Sequence, residues 1–441
     1  MTAMQKAASP PPNEEDDYKV PGWYRWAPFL GKPPRMNSHQ WRVLGLLGIV
    51  SLFDQYDLSL FSLALKQIQA DLMIPEAQLG DLGALVRLGA LPAFLFGVIA
   101  DRVGRRKVLL FTIVGYTVLT GATAFAPDAK TFVILQFFAR TFAVGELILA
   151  YVVIAEELDP ETRGWGAGAL TALAACGSGL ALALFGLVDV LPMGWRALYL
   201  IGLIPLAMVA WMRRSLPETT RFEAQQKNSG VRRQENFLKP ILDLIRMYPK
   251  RILGICSVLL LLNFSADAAS FFGPKYLQEE HGWLPWHYSI MGIFGGCIGV
   301  VGGPFAGRLS DRYGRKKVAA VFLTANPILA IAFYQLFGWA LVPIWVGMVF
   351  SGMAAAVVLN IYGNELFPTS YRSTASGTRV IVATIGGALS LMTESILFGI
   401  MGSHWNALSL MVIGSLAAPI MVLWMLPETS GRVLEEISPE K

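Results

Sequence analysis

The sequence predicts an all-α membrane protein with twelve transmembrane helices in two related six-helix bundles. Three observations carry this expectation. Hydrophobic residues fill 54% of the 441 positions and charged residues only 15%, with a mean hydropathy of +0.50. A soluble domain carries roughly 25% charged residues, because its surface faces water. Second, the apolar residues gather in long runs, and stretches such as Val108 to Phe125 and Ile252 to Leu262 hold no charge. About 20 mostly apolar residues suffice to cross about 30 Å of hydrocarbon. Third, the chain repeats itself at an offset of 210 residues. In lipid the backbone must satisfy its own hydrogen bonds, so these runs are helices, and the ten-residue alternation of an outer-membrane barrel is lacking.

Taken in order, the first element is a polar, proline-rich tail (ASPPPNEEDDYKVPGW) without the regions of a signal peptide. It is read as cytosolic over 1–40, with an interfacial aromatic stretch at Trp23, Tyr24 and Trp26. Spans are expected at 42–66, 79–101, 107–126, 131–156, 165–189 and 197–213, then at 252–275, 287–309, 317–338, 341–364, 373–399 and 406–426. The polar link LPETTRFEAQQKNSGVRRQENF parts six from six. The domains are therefore an N-terminal bundle over 41–213, a cytosolic link over 214–250, a C-terminal bundle over 251–426 and a cytosolic tail over 427–441.

Lysine and arginine orient the chain. With both termini inside, four lie outside (Lys66, Lys130, Arg196, Lys275) and three within spans (Arg87, Arg140, Arg379), leaving 29 of the 36 on the cytosolic side. The positive-inside rule then places both termini in the cytosol of an inner (cytoplasmic) membrane protein. The net charge of +5 is thereby a topology signal, and nucleic acid is excluded as a partner. Cys176, Cys256 and Cys297 fall inside apolar runs and form neither a disulfide framework nor a metal spacing. No cofactor or metal is expected, and the absence of GxxxxGK[ST] argues against direct drive by ATP.

The internal repeat is detailed. GVIADRVGRRK begins at Gly97 and GRLSDRYGRKK at Gly307; LPET recurs at Leu216 and Leu426; Asp57 maps onto Asp267. EELDPETRGWGAG from Glu156 and NELFPTSYRSTASG from Asn364 correspond at an offset of about 208. A set of matches in register reads as a duplicated six-helix unit, and substrate sites in such transporters lie near the midplane between repeats.

These residues carry a family resemblance. The loop G-x-x-x-D-R-x-G-R-[RK]-K, present as Gly97, Asp101, Arg102, Gly104, Arg105, Arg106, Lys107 and again as Gly307, Asp311, Arg312, Gly314, Arg315, Lys316, Lys317, resembles the signature of the major facilitator superfamily. The resemblance covers about 40–437 and implies the major facilitator fold. It also implies alternating-access transport in which the two loops act as cytoplasmic latches. Physically, arginines offset the negative end of a helix and the glycines permit a tight turn. PETSGRVLEEI resembles the ending of sugar porters, although LLLNFSADAASFFG lacks their paired glutamines. DQYDLSLF resembles the first span of aromatic-acid and related metabolite:proton symporters, and VGELILAYVVIAEE the G-G-E segment of related transporters. Where those relatives carry an arginine ten residues before the glutamate, this chain has Gln136, with Arg140 one turn later.

Ionisable groups within spans mark the candidate site, since each costs at least about 2.5–3.5 kcal/mol at mid-bilayer. Asp54 and Asp57 share a face of span one; Glu146 and Arg140 stand in span four; Asp267 follows Asn263 by four residues in span seven; Asn360 and Asn364 share a face of span ten. The resemblance implies that these four spans line the cavity. For proton coupling the candidates are Asp57, paired with Arg140, then Glu146, Asp54 and Asp267. For substrate they are Arg140, Arg87 and Arg379, whose fork-shaped donors suit a carboxylate, with Asn263, Asn360 and Asn364. A static ion pair between spans one and four is the structural alternative for Asp57 and Arg140. Glu157 and Arg163, with Pro160, and Glu365 and Arg372, with Pro368, are expected as cytosolic switch contacts. His281, His287 and His404 lie in or beside external loops and are given no role beyond pH sensitivity.

The function that follows is a proton-coupled importer of a small organic anion, acting as a monomer in the lipid bilayer on a small-molecule substrate and protons. The alternatives are a sugar or polyol importer, an exporter of cationic compounds, and a non-transporting membrane sensor. No constellation points to an enzyme.

Overall fold

The structure is a computed structural model that describes residues 20–159, 161–213, 238–368 and 371–430. The expected tails up to 19 and beyond 430, most of the link, the first LPET and Pro160 lie outside the described residues, as do the side chains of Asp101 and Arg102.

Among the described residues there is no strand, and the helices follow the apolar runs. They are α1 (Ser38–Leu63), α2 (Leu65–Asp71), α3 (Leu79–Leu88), α4 (Phe94–Val103), α5 (Arg105–Thr123), α6 (Ala129–Glu157), α7 (Arg163–Phe185) and α8 (Trp195–Arg213). After the link come α9 (Leu238–Met247), α10 (Pro249–Glu280), α11 (Pro285–Tyr313), α12 (Arg315–Gln335), α13 (Leu341–Glu365), α14 (Arg372–Met401), α15 (His404–Ser415) and α16 (Ala417–Met425). Among the described residues nine helical stretches are long and apolar enough to cross a membrane. The α3–α4 pair, α5 and α8 run beside them, consistent with the expected twelve traverses.

Local chemistry explains several of the ends. Asn37 caps α1 through a reciprocal bond with Gln40, Asp128 accepts from Thr131 N at the start of α6, and Ser403 accepts from Asn406 N in α15. These are the side chains that satisfy the free amides of a helix start. One expected span is broken: residues 89–93, which include Gly89 and Pro92, part α3 from α4. Thr141 of α6 donates to Gly89 O at 2.7 Å and so serves part of the exposed backbone. Two stretches taken as tail or link are folded. Tyr24 is buried among Trp23, Trp41 and Trp165, and the end of the link forms α9, whose Leu244 is fully buried.

The chain ends of α1, α6, α10 and α14 that carry Ser38, Glu157, Pro249 and Arg372 define a terminal face; the opposite end is the far face. The halves meet through α3 with α14, α7 with α11, and α1 with α10. Side-chain hydrogen bonds join them at the far face. Ser62 donates to Phe271 O at 3.0 Å, Gln67 to Gln278 Oε1 at 2.8 Å and Ser289 to Leu182 O at 2.6 Å. These contacts hold the two halves together at the far face.

Candidate substrate and proton site

The break between α3 and α4 leaves Arg87 at the end of α3, midway through its span, where it can face the other half. It forms an ion pair with Asp267 of α10, Nη2 to Oδ2 at 2.5 Å. This pair joins the two halves, and α14 passes directly over it. A Cβ on Gly387 would stand 2.0 Å from both Arg87 Nε and Asp267 Oδ2, so only glycine leaves room for the pair. Arg140 of α6 lies within electrostatic reach of Arg87, Asp267 and Asp57. Among the described residues it has no ion-pair partner of its own, and its Nε lacks a hydrogen bond. Arg140 is eleven residues into α6, roughly 17 Å from the helix's far end at 1.5 Å per residue.

Asp57 is 3% exposed. Its Oδ2 accepts from Thr120 Oγ1 of α5 at 3.3 Å, while Oδ1 has no hydrogen-bond partner. A buried carboxylate oxygen without a donor is costly when charged. Tyr116 stands nearby but spends its hydroxyl on Phe53 O at 3.2 Å. Asp54, one turn away on α1, is equally buried. Glu146, 1% exposed, faces α5 and accepts from Thr112 Oγ1. The structure thus gathers Asp57, Arg140, Arg87 and Asp267 into one region and sets Glu146 inside the first half.

The other expected residues divide. Arg379 is 6% exposed and turns toward α13, where Nη2 donates to Asn364 Oδ1 at 2.6 Å; within its own helix Nη2 also donates to Ser376 Oγ at 2.8 Å. Asn364 is engaged by that contact, Asn263 donates to Leu259 O of its own helix at 2.8 Å, and Asn360 is exposed. The sequence reading placed Asp267 among the proton groups without its partner. Arg87 as that partner depends on how α3 and α10 meet, which no local pattern records.

At the terminal face the two signature loops adopt one geometry. Gly104 has φ 111° and ψ 145°, Gly314 φ 101° and ψ 142°, a region that favours glycine. The following arginine turns back in each copy. Arg105 reaches Glu156 at 2.9 Å and Arg315 reaches Glu365 at 3.1 Å. The carboxylate that Arg105 meets is thus Glu156, while the neighbouring Glu157 meets His39 of α1 at 3.1 Å. Arg163 and Arg372 donate to the helix-end carbonyls of Leu158 and Asn364 at 2.9 and 3.2 Å. In the second loop Asp311 pairs with Arg315 at 2.6 Å, and Arg312 lies over the Tyr313 ring. A Cβ on Gly97 or Gly307 would meet nothing within 4 Å. Glu428, from the second LPET, was not anticipated as part of this network. It accepts from the amides of Arg315 and Lys316 at 2.8 and 3.2 Å and so caps α12.

Comparison with known proteins agrees with this architecture. The chain is similar to a putative niacin/nicotinamide transporter of Bacillus subtilis, 27% identical over 92% of this chain and 100% of that one. It is also similar to a cis,cis-muconate transport protein of Acinetobacter baylyi, 26% identical over 81% of this chain and 88% of that one. Among solved structures, the inward-open xylose transporter of E. coli superposes with a TM-score of 0.73 at 17% identity, covering 90% of this chain and 99% of the other. The family model described as Major Facilitator Superfamily matches residues 47–391 and 298–436. On that match, which spans nearly all of both bundles, the chain is a membrane transporter belonging to the Major Facilitator Superfamily.

Proposed function

We propose that this transporter imports a small organic acid together with a proton, working as a monomer in the cytoplasmic membrane with its terminal face in the cytosol. The observation that carries the reading is the uncommitted guanidinium of Arg140 beside the buried carboxyl of Asp57, while the neighbouring Arg87 is taken up by Asp267. A planar cation with free donors suits a carboxylate. A relative described as carrying cis,cis-muconate, a dicarboxylate, supports an acidic substrate class, as does niacin, the acid in the name of the niacin/nicotinamide relative.

Coupling follows from charge. A carboxylate seated on Arg140 adds a negative charge beside Asp57, so the anion and a proton on Asp57 favour each other's binding. Asn263 and Asn360 offer polar contacts for the remainder of the substrate. Glu146 and Asp54 are secondary proton carriers, and Arg379 with Asn364 steadies α13 against α14. The Arg87–Asp267 pair ties the halves at mid-span, and the arginine–glutamate pairs at the terminal face brace each half during rocking. With lysine and arginine placing the terminal face inside, the contacts at the far face close the external side.

The test is thermal stabilisation of the purified chain by a panel of organic acids, sugars and amines, repeated with Arg140→Ala and Asp57→Asn. A ligand raises stability only through its affinity for the folded state. Stabilisation by an aromatic or dicarboxylic acid that Arg140→Ala abolishes is expected. Asp57→Asn should retain binding and lose acid-driven uptake in proteoliposomes. Stabilisation by a sugar or amine that survives Arg140→Ala would sink the reading.

A further inference from the structure

The far face holds a titratable cluster, two of its three members buried, that the substrate site does not use. His404, at the start of α15, is 5% exposed and lies between two glutamates from different halves. Its Nδ1 meets Glu394 Oε1 of α14, and its Nε2 meets Glu76 Oε2, from the turn before α3, at 2.9 Å. The rings of Phe272 and Phe398 stack on the imidazole with centroids 4.8 and 4.0 Å away, closing it off from water. Glu394 is fully buried, and its second oxygen has no hydrogen-bond partner. The charged groups facing the cluster are Lys275 and Glu279 of α10 and Asp81 of α3. Lys275, itself 0% exposed, bonds Glu76 Oε1 at 3.0 Å and Glu279 at 2.6 Å, and Asp81 acts on Glu394 through its field.

Counting protons gives the function of this arrangement. Two nitrogen–oxygen contacts need two protons, and a neutral imidazole carries only one N–H. With both carboxyls ionised, one nitrogen lone pair of the 5% exposed imidazole would face a carboxylate oxygen. The bridge is therefore complete only when it holds one proton more than neutral histidine and two carboxylates supply. Glu76 belongs to the first half and His404 and Glu394 to the second, so the bridge exists only while the far face is closed. On opening, His404 needs a single N–H for Glu394, and Nε2 can accept from water.

We propose that Glu76, His404 and Glu394 form a proton-binding site at the far-face gate, loaded on closure and emptied on opening, distinct from Asp57. The proposal rests on the reading that the chain alternates between two open states. Acid on the far side then favours closure, by up to about tenfold in the closed-to-open ratio per pH unit across the range where the proton is exchanged.

Glu76→Gln is the discriminating variant. The glutamine oxygen can still accept from Lys275 and from Gln69, which bonds Glu76 Oε1 at 2.7 Å, while its amide donates to His404 Nε2. Neutral histidine then completes the bridge without an extra proton. Glu394→Gln does the same from the other side and serves as an independent copy if the first variant folds poorly. Spin labels at exposed Lys130 and Ala340, in the full chain with its three cysteines replaced by serine, report the distance between the halves. At about pH 5.5 and about pH 8.5, on either side of the usual imidazole range, the parent should move from one short distance to a mixture with a longer one. Either glutamine variant should stay short at both. An unresponsive parent, or glutamine variants that respond like the parent, would overturn the site. Loss of the response in Asp57→Asn would assign it to Asp57 and overturn it equally. If organic acids fail to stabilise the chain while the gate responds as expected, the substrate reading falls and the gate site stands.

Discussion

Asp267 and Arg87 show how a charge inside a membrane span is made tolerable by a residue far away in sequence. Each is roughly one-fifth exposed at its side chain and ion-paired with the other at 2.5 Å. Removing one partner leaves the other charge in a low-dielectric site, whereas removing both leaves only packing to adjust. Asp267→Leu or Arg87→Leu alone should lower stability by about 3 kcal/mol, and the two together by much less than the sum. Thermal unfolding of the three variants completes a double-mutant cycle, and additive losses would show that the pair is not coupled. Asp57, Arg140 and Asp267 were legible because a lone charge in an apolar run announces itself. The pairing was not, since the sequence carries no record of which faces of α3 and α10 meet, or that Gly387 makes room.

At the scale of elements, the duplicated loop was the clearest signal in the chain, and its geometry shows why its glycines stand where they do. Gly314 sits at φ +101°, and a Cβ there would stand 2.6 Å from Glu428 Oε2. The position thus asks for glycine twice, once for the backbone and once for the carboxylate that caps α12. Gly314→Ala should cost about 2 kcal/mol from the left-handed backbone alone, while Gly307→Ala, which meets open space in this state, should cost far less. Comparing their unfolding temperatures tests the assignment; equal losses would refute it. Helix positions were legible from apolar length, and most ends fall within four residues of expectation. The break at 89–93 escaped because Gly89 and Pro92 lie inside a run whose hydropathy alone suggests one continuous span, and proline is tolerated within other helices here, as at Pro274 and Pro304. Glu156 was missed because two adjacent glutamates offered the same chemistry, and a one-residue difference in register decided between them.

For the whole molecule, what matters is which end holds the halves together and under what conditions. The far-face closure runs through Glu76, which receives His404, Gln69 and Lys275 on its two oxygens. The hydrogen bond from His404, with Gln69 and Lys275, outweighs burial and holds the Glu76 carboxyl at about 2, below the usual carboxylate range. A lowered value in the closed state means that the contribution of Glu76 to closure is complete above its ordinary value of 4.5. It is lost as pH falls through about 2. Acidification within the range that loads the His404 bridge therefore strengthens closure, and Glu76 gives way only in far stronger acid. The inter-half distance between labels on the far-face loops should shorten or hold from about pH 7 to about pH 4.5 and lengthen only below that. A far face that opens between pH 7 and 4.5 would mean that the carboxylates there repel each other and that Glu76 is not held by His404 and Lys275. Such a result would also remove the reason for reading this end as a gate: a cation fully buried at Lys275 and an imidazole between two carboxyls are arrangements that hold only while both halves supply their partners.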